Sequence, residues 1–224
     1  MTSHQPDGTP QDEDERPSKR AREWFEVVTV AILALAALAT AWSGYQASLW
    51  DGIQASNYSQ AAGARTNGAQ QRTAANQFRL ADLSVFENYV DARIDGDDEL
   101  AGFYLQRFRD EFRVAYDAWI ALDPFNNPEA PASPLGMPEY QLAADAEADR
   151  LEARADELFA AGEAANTDSD VYTLTTLLFA ASLFFAAISE RFEFVIAKVV
   201  LLSVAVVALL AGIGIALGQP ITSG

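Results

Sequence analysis

The sequence predicts an all-α membrane protein with three transmembrane helices and an elongated extracytoplasmic helical domain. Three stretches of the 224-residue chain are almost purely apolar, and no other stretch approaches their composition. A helix needs roughly 20 predominantly apolar residues to cross the ~30 Å hydrocarbon core of a bilayer. The rest of the chain is polar and acidic, and most of it is rich in residues that favour helices.

The chain opens with a charged tail, residues 1–22, that has too few apolar residues to bury a core. Such a segment is predicted to be disordered, and we expect it to lie in the cytoplasm. Transmembrane helix 1 follows at 23–45, and its centre, from Val27 to Gly44, carries no charge.

A secretory signal peptide is the alternative interpretation of this end of the chain. A basic stretch precedes the apolar run, and Ala39-Thr40-Ala41 resembles a cleavage site. The long acidic tail argues against cleavage, and so does a spacing pattern, described below, that continues across the proposed cut. We therefore expect the span to be retained.

Residues 46–170 are predicted to form the extracytoplasmic domain. The absence of Pro predicts that the first span continues outward as one helix to about Arg93. Apolar residues at helical spacing predict a second helix over 98–122. Five Pro residues then predict an extended connector at 123–138.

A third helix of this domain is predicted from Pro138 to about Ala161, because Pro is favoured in the first turn of a helix. Gly162 and the polar cluster at 166–170 are predicted to interrupt it. The spacing of Thr167 and Asp170 resembles a capping box ahead of the next span.

Transmembrane helices 2 and 3 are predicted at 171–189 and 198–218. Lys and Arg near span ends favour the cytoplasmic side. The basic residues in such positions are Arg16, Lys19, Arg20, Arg22, Arg191 and Lys198. We therefore expect a multi-pass protein of the cell membrane, in contact with membrane lipid, whose N-terminus is cytoplasmic.

Small residues recur every four positions along the first long helix. They are Ala36, Thr40, Gly44, Ser48, Gly52 and Ser56, and the third span has Ala208, Gly212 and Ala216. Small residues let helix backbones approach closely, and packing is the main attraction between helices in lipid. The pattern predicts a helix-packing seam, within the chain or between subunits. Chance in an Ala-rich segment is the alternative.

Charged residues recur at a spacing of seven on two helices that should run antiparallel. Arg65, Arg72 and Arg79 share one face, and Asp149, Asp156 and Glu163 share another. Seven residues make about two helical turns, so the two stripes can pair as a charge ladder, as in a coiled coil. Two independently solvated faces are the alternative.

Side chains that carry enzymatic chemistry are scarce in this chain. There is no Cys, and the single His is His4, so thiolate and histidine sites are excluded or disfavoured. No phosphate-binding loop or nucleophile–base set is recognisable. We expect no catalytic, cofactor-binding or metal-binding residues and no cofactor.

Net charge excludes another class of partner. The chain carries −17, of which −14 falls in residues 44–171. Binding of nucleic acid needs clustered Lys and Arg to neutralise phosphates, so we expect no nucleic-acid partner.

Two segments carry a family resemblance, ATAWSGYQASLWDGIQASNYSQA at 39–61 and FFAAISERF at 184–192. Both resemble blocks of an uncharacterised prokaryotic family of three-span membrane proteins, as does the connector that ends in SPLGMPEY. The resemblance implies the same topology. It brings no activity and no functional residues.

The favoured hypothesis is a non-enzymatic membrane protein whose extracytoplasmic domain mediates self-assembly or binds a membrane or extracytoplasmic protein partner. We expect a homo-oligomer. The alternative is an oligomeric ion channel or transport component with an acidic vestibule. It rests on the segment 54–77, which lacks large apolar residues except Tyr58 and could line a wet space.

Overall fold

The computed structural model describes residues 15–223, with side chains described from Glu23 onward. The helices are α1 Glu15–Ile94, α2 Asp98–Leu105, α3 Asp110–Ile120, a short 3₁₀ helix Pro134–Gly136, α4 Ala143–Ser189 and α5 Val195–Leu217. The prediction of an all-helical fold is confirmed for the described residues. Three helices, α1, α4 and α5, are long and apolar enough to cross a membrane, as in a multi-pass membrane protein.

The predicted disordered tail, residues 1–22, is described only in part. Residues 1–14 lie outside the described residues. The backbone of the remaining eight residues belongs to the first turns of α1, which begins at Glu15.

The chain divides into two compact units. The span unit comprises Met1–Ser56 and Gly162–Gly224, and the aromatic unit comprises Asn57–Ala161. α1 and α4 contribute residues to both units, α2 and α3 belong to the aromatic unit, and α5 belongs to the span unit.

α1 is a single helix of 80 residues that continues through Gly63 and Gly68. In the aromatic unit, Gly68 is buried against α4, where an added Cβ would lie 3.5 Å from the Ala148 carbonyl oxygen and the Leu151 Cβ. A small residue therefore brings the two helix backbones close together at this position.

The helix predicted over 98–122 is two helices in the structure, α2 and α3. Gly96, with φ +74°, makes the turn ahead of α2. α3 begins after Arg109, whose backbone is extended (φ −62°, ψ 151°). The break allows the Arg109 guanidinium to reach Asp82 of α1 at 2.9 Å, while Phe108 beside it is buried.

α4 begins at Ala143 instead of Pro138, because a side chain caps its first turn. The Oε1 atom of Glu111, in α3, accepts a hydrogen bond from the Ala143 N–H at 2.8 Å. The first N–H groups of a helix have no partner within the helix, so such a bond fixes where it starts.

α4 also continues through 162–170, where the sequence predicts an interruption. Two polar side chains of this cluster find partners on α1 within the span unit. Gln54 Nε2 donates to Asn166 Oδ1 at 2.7 Å, and Ser169 Oγ donates to Asp51 Oδ1 at 2.6 Å. These residues join two helices side by side and do not cap one.

The cores of the two units differ in composition. The aromatic unit buries Phe86, Tyr89, Ala92, Ala101, Phe108, Phe112, Tyr116 and Trp119 as one cluster. The span unit buries Ile32, Ala36, Phe179, Ala186, Leu202, Ala205 and Leu209. Large aromatic residues fill the first core, and aliphatic and small residues fill most of the second.

Candidate functional site

The predicted helix-packing seam turns around α1 within the span unit. Ala36 is fully buried and Thr40 is half-buried. The exposed members are Gly44, Ser48, Gly52 and Ser56. An α-helix has 3.6 residues per turn, so a spacing of four advances by about 40° at each step. After five steps the rotation is about 200°, so the seam faces the core at Ala36 and faces outward further along.

A strip of small residues therefore lies on the exposed side of α1. Its members are Ala37, Ala41, Gly44, Ser48, Gly52 and Ala55, all exposed. Spacings of three and four keep such residues on one side of a helix. We name this strip the small-residue face. Trp42 and Tyr45, which are 48% and 53% exposed, lie beside it.

The opposite side of α1 supplies the contacts inside the span unit. Ser43, Gln46 and Ala47 are buried there. Two glycines of the small-residue face have no such contact, because an added Cβ at Gly44 or Gly52 would have no atom within 4 Å. The chain's own packing thus does not require glycine at either position.

The seam on α5 is an internal contact. Gly212 is buried, and an added Cβ would lie 2.5 Å from Cε1 of Phe179 on α4. About two turns away on α5, the Ala205 carbonyl oxygen accepts a hydrogen bond from Ser182 Oγ at 2.8 Å. Ala208 and Ala216 are half-buried on either side of Gly212. Glycine here lets α5 approach α4 closely.

The residues that follow α5 are tied to the other two long helices of the span unit. The fully buried side-chain amide of Gln46 exchanges two hydrogen bonds with the backbone of Thr222, at 3.1 and 3.2 Å. The Tyr172 hydroxyl donates to the Pro220 carbonyl oxygen at 3.2 Å. These bonds hold the end of the chain against α1 and α4.

The charge ladder lies within the aromatic unit except for Glu163. Arg65 pairs with Asp156 at 3.3 Å, and Arg72 pairs with Asp149 at 2.6 Å. Arg72 also contacts Asp145 at 3.2 Å and Glu152 at 3.1 Å. Two acids of α4, Asp145 and Glu152, thus form ion pairs with Arg72 although the spacing of seven does not identify them.

The other two ladder residues are placed differently. Arg79 forms an ion pair with Asp145. Glu163 is exposed and forms no ion pair within the part of the chain that the structure describes. The pairing therefore follows the antiparallel arrangement of α1 and α4 and not the sevenfold spacing alone.

A partly buried ionic network of the aromatic unit joins α1, α3 and the residues just before α4. Asp82 is 3% exposed. Its Oδ2 atom accepts hydrogen bonds from Arg109 at 2.9 Å and from the Tyr140 hydroxyl at 2.8 Å. Arg109 also pairs with Glu111, the residue that caps α4, and its guanidinium lies 4.1 Å from the ring centre of Phe78.

Burial changes the acidity of two groups in this network. Burial raises the pKa of Asp82 above its ordinary value of 3.8, while the Tyr140 hydrogen bond and the Arg109 charge oppose the rise. Burial, and next the hydrogen bond to Asp82, raises the pKa of the Tyr140 hydroxyl. The network is a structural junction, because each of its polar groups is already bonded to another.

Sequence reasoning missed Gln46, Tyr172 and the Asp82 network. Positions 78, 82, 85, 86 and 89 recur at helical spacing, and all of them except Asp82 are apolar. The position of Asp82 on the buried face of its helix was therefore predictable. Its partners were not, because Arg109 and Tyr140 are 27 and 58 residues away in the chain. Nothing in the sequence distinguishes Gln46 from the exposed Gln residues of α1.

Comparisons of this chain with protein-family models, with curated proteins and with solved structures found no match. The functional inference therefore depends on the contacts and surfaces described above.

Proposed function

We propose that this chain is a non-enzymatic, multi-pass protein of the cell membrane that assembles with a second copy through the small-residue face of α1. Its N-terminus lies in the cytoplasm, and residues 57–161 lie outside the cell as a domain available to partners. The function is thus assembly and display of a helical domain.

The observation that carries the proposal is the open space at Gly44 and Gly52. Glycine inside a helix costs roughly 1 kcal/mol relative to alanine. At Gly212 a close neighbour explains the glycine, whereas an added Cβ at Gly44 or Gly52 would meet no atom of the described residues within 4 Å. A second helix that packs closely against this face would explain why both positions are glycine.

The surroundings of the small-residue face fit a helix partner in lipid. From Ala37 to Trp50 the sequence carries no charge. Small residues permit close backbone approach between membrane helices, where burial of apolar surface gives no net driving force. The exposed rings of Trp42 and Tyr45 beside the face are typical of the membrane–water interface.

The proposed orientation rests on the basic residues of the sequence. The short turn between α4 and α5 contains Arg191, and Lys198 lies in the first turn of α5. Short loops with Lys and Arg favour the cytoplasm. A cytoplasmic turn between α4 and α5, together with three spans, places the N-terminus on the same side.

Disulfide trapping in native membranes tests the assembly directly, because the chain has no Cys of its own. We expect Gly52→Cys or Ser48→Cys to form a disulfide-linked dimer upon mild oxidation. The matched control is Leu174→Cys, on an exposed position of α4, which should remain monomeric. Equal trapping at positions 52 and 174 would indicate random collision in the bilayer and would reject the face as an interface.

Labelling with a membrane-impermeant thiol reagent tests the orientation separately. Val114 in α3 and Phe194 before α5 are 59% and 78% exposed. We expect Val114→Cys to react in intact cells and Phe194→Cys to react only after lysis. The reverse pattern would overturn the orientation and leave the assembly proposal standing.

A further inference from the structure

A groove in the aromatic unit is independent of the proposed assembly. Its volume is about 620 Å³, and it lies between α1, the end of α3 and the Pro-rich connector. Binding sites for small molecules usually measure roughly 300–1,000 Å³ and combine apolar walls with a few polar groups. This groove has both features.

One wall of the groove is aromatic and held in place. The Trp119 indole N–H donates to the Pro131 carbonyl oxygen at 2.6 Å, which ties the connector to α3. The Phe125 ring packs edge-on against Trp119, with 5.9 Å between ring centres. Phe125 nevertheless remains 55% exposed, so this ring is available to a ligand.

The other wall carries negative charge. Glu87 and Asp91 lie one turn apart on α1, both line the groove, and both are exposed. Neither forms an ion pair among the residues that the structure describes, and the nearby Arg93 pairs with Asp98 instead. Among the residues with described side chains, no Lys or Arg lines the groove.

This arrangement is unfavourable in the empty groove. Like charges four residues apart destabilise a helix slightly, and the fold supplies no cation to relieve them. A bound cation would be attracted to both carboxylates and would reduce their mutual repulsion. An aromatic ring attracts an organic cation through its negative face, so Phe125 and the carboxylates favour the same ligand.

We infer that the groove is a binding site for a small organic cation with an apolar body. Glu87 and Asp91 pair with the ammonium group, the Phe125 ring lies against that group, and Leu83 contacts the apolar part. A neutral apolar molecule would leave the carboxylates unpaired, and a bare metal ion would gain nothing from the ring.

Titration calorimetry on the full-length protein in lipid nanodiscs tests this inference. The probe is benzyltrimethylammonium, and its neutral counterpart of similar shape is 2-methyl-1-phenyl-2-propanol. We expect saturable binding of the cation, at least about tenfold tighter than of the alcohol, because two carboxylates contribute to one and not the other. Equal affinities would show that the carboxylates do not contribute to binding and would contradict a cation site. Absence of saturable binding would show that the groove does not bind this ligand.

Substitutions test the contributions of the acidic wall and the aromatic wall to binding separately. We expect the pair Glu87→Gln and Asp91→Asn to weaken binding of the cation about tenfold. Phe125→Leu, which retains an apolar side chain, should weaken it about threefold. Glu139→Gln is the matched control, because Glu139 is exposed and does not line the groove. Equal loss in this control would assign binding to the overall negative charge.

Folding does not confound this test. Removal of two like charges on one helix face should leave the double variant at least as stable as the original chain. Calcium ion at the same concentration is the competitor. Displacement of the probe by calcium would indicate a bare acidic surface and would contradict the inference.

Discussion

The span unit and the aromatic unit are built from the same helices, α1 and α4, yet they are stabilised in different ways. The span unit relies on close approach and on hydrogen bonds to backbone oxygens, as at Gly212 and Ser182. The aromatic unit relies on burial of large rings and on a buried, paired carboxylate, Asp82. Along its length, α1 therefore contributes to close helix packing in one unit and to burial of large rings in the other.

The proposed topology accounts for this difference, because it places the span unit in lipid and the aromatic unit in water. Lipid is as apolar as a leucine side chain, so membrane helices gain stability from packing and from hydrogen bonds. In water, burial of apolar area stabilises by roughly 25 cal/mol per Å². An aromatic core in water benefits from this effect, whereas a helix core surrounded by lipid does not.

The largest expected effect of a single substitution is in the aromatic unit. Asp82→Ala leaves the Tyr140 hydroxyl and one side of Arg109 without an acceptor. Removal of one partner from a buried pair costs about 3–5 kcal/mol. Hydrogen exchange of residues 98–120 should show this loss. Asp117→Ala, which breaks an exposed pair with Arg113, is the control and should change little.

In the span unit, Gly212→Ala is the corresponding test. The added Cβ would lie 2.5 Å from Phe179 Cε1, and overpacking of this kind costs about 1–3 kcal/mol. Gly214→Ala is the control on the same helix, since its added Cβ would meet no atom within 4 Å. Thermal unfolding in detergent should distinguish the two variants. Equal midpoints would show that α5 does not depend on this close approach.

Salt separates the exposed ladder from the buried network. Arg72→Gln removes three ionic contacts of a half-buried arginine, two of whose partners, Asp149 and Glu152, are exposed. We expect a smaller loss of stability than for Asp82→Ala. High salt should reduce this loss, because exposed charges are screened. An effect of Arg72→Gln that persists at high salt would place the ladder among the buried interactions.

The smallest expected effect is a dependence on pH. Burial raises the pKa of folded Asp82 above 3.8, so the folded chain holds this proton more tightly than the unfolded chain. The resulting stability is present below the unfolded pKa and is lost as pH rises through the folded pKa.

Asp82→Asn removes that titration. The difference in unfolding free energy, original chain minus variant, should therefore fall as pH rises from about 3.5 to about 7. A difference that rises over this range would mean that Arg109 and Tyr140 outweigh burial and lower the pKa of Asp82.

Composition and spacing were enough to predict the helices and the three apolar spans, because both depend on local patterns. The residues at which α3 and α4 begin were not predictable in the same way. Arg109 breaks a helix to reach Asp82, and Glu111 sets the start of α4 from another element. Asn166 and Ser169 have the composition of a cap but bond across to α1.

In the candidate sites, too, local spacing was predictable and contacts between residues distant in the sequence were not. A spacing of four identified small residues on α1, but the rotation of the helix decides which of them face outward. A spacing of seven identified Arg65 and Arg72 with two of their partners, whereas Asp145 was missed because α4 supplies acids on more than one turn. The groove was not predictable, because its two walls come from distant parts of the chain.

The mass of the protein in lipid nanodiscs, measured one particle at a time, tests whether two copies assemble through the small-residue face. We predict two copies per particle for the original chain and one copy when both Gly44→Leu and Gly52→Leu are present. An added Cβ meets no atom of the described residues within 4 Å at either position, and leucine favours helices, so the variant should still fold. Particles of one copy for the original chain, or two for the variant, would contradict this assembly.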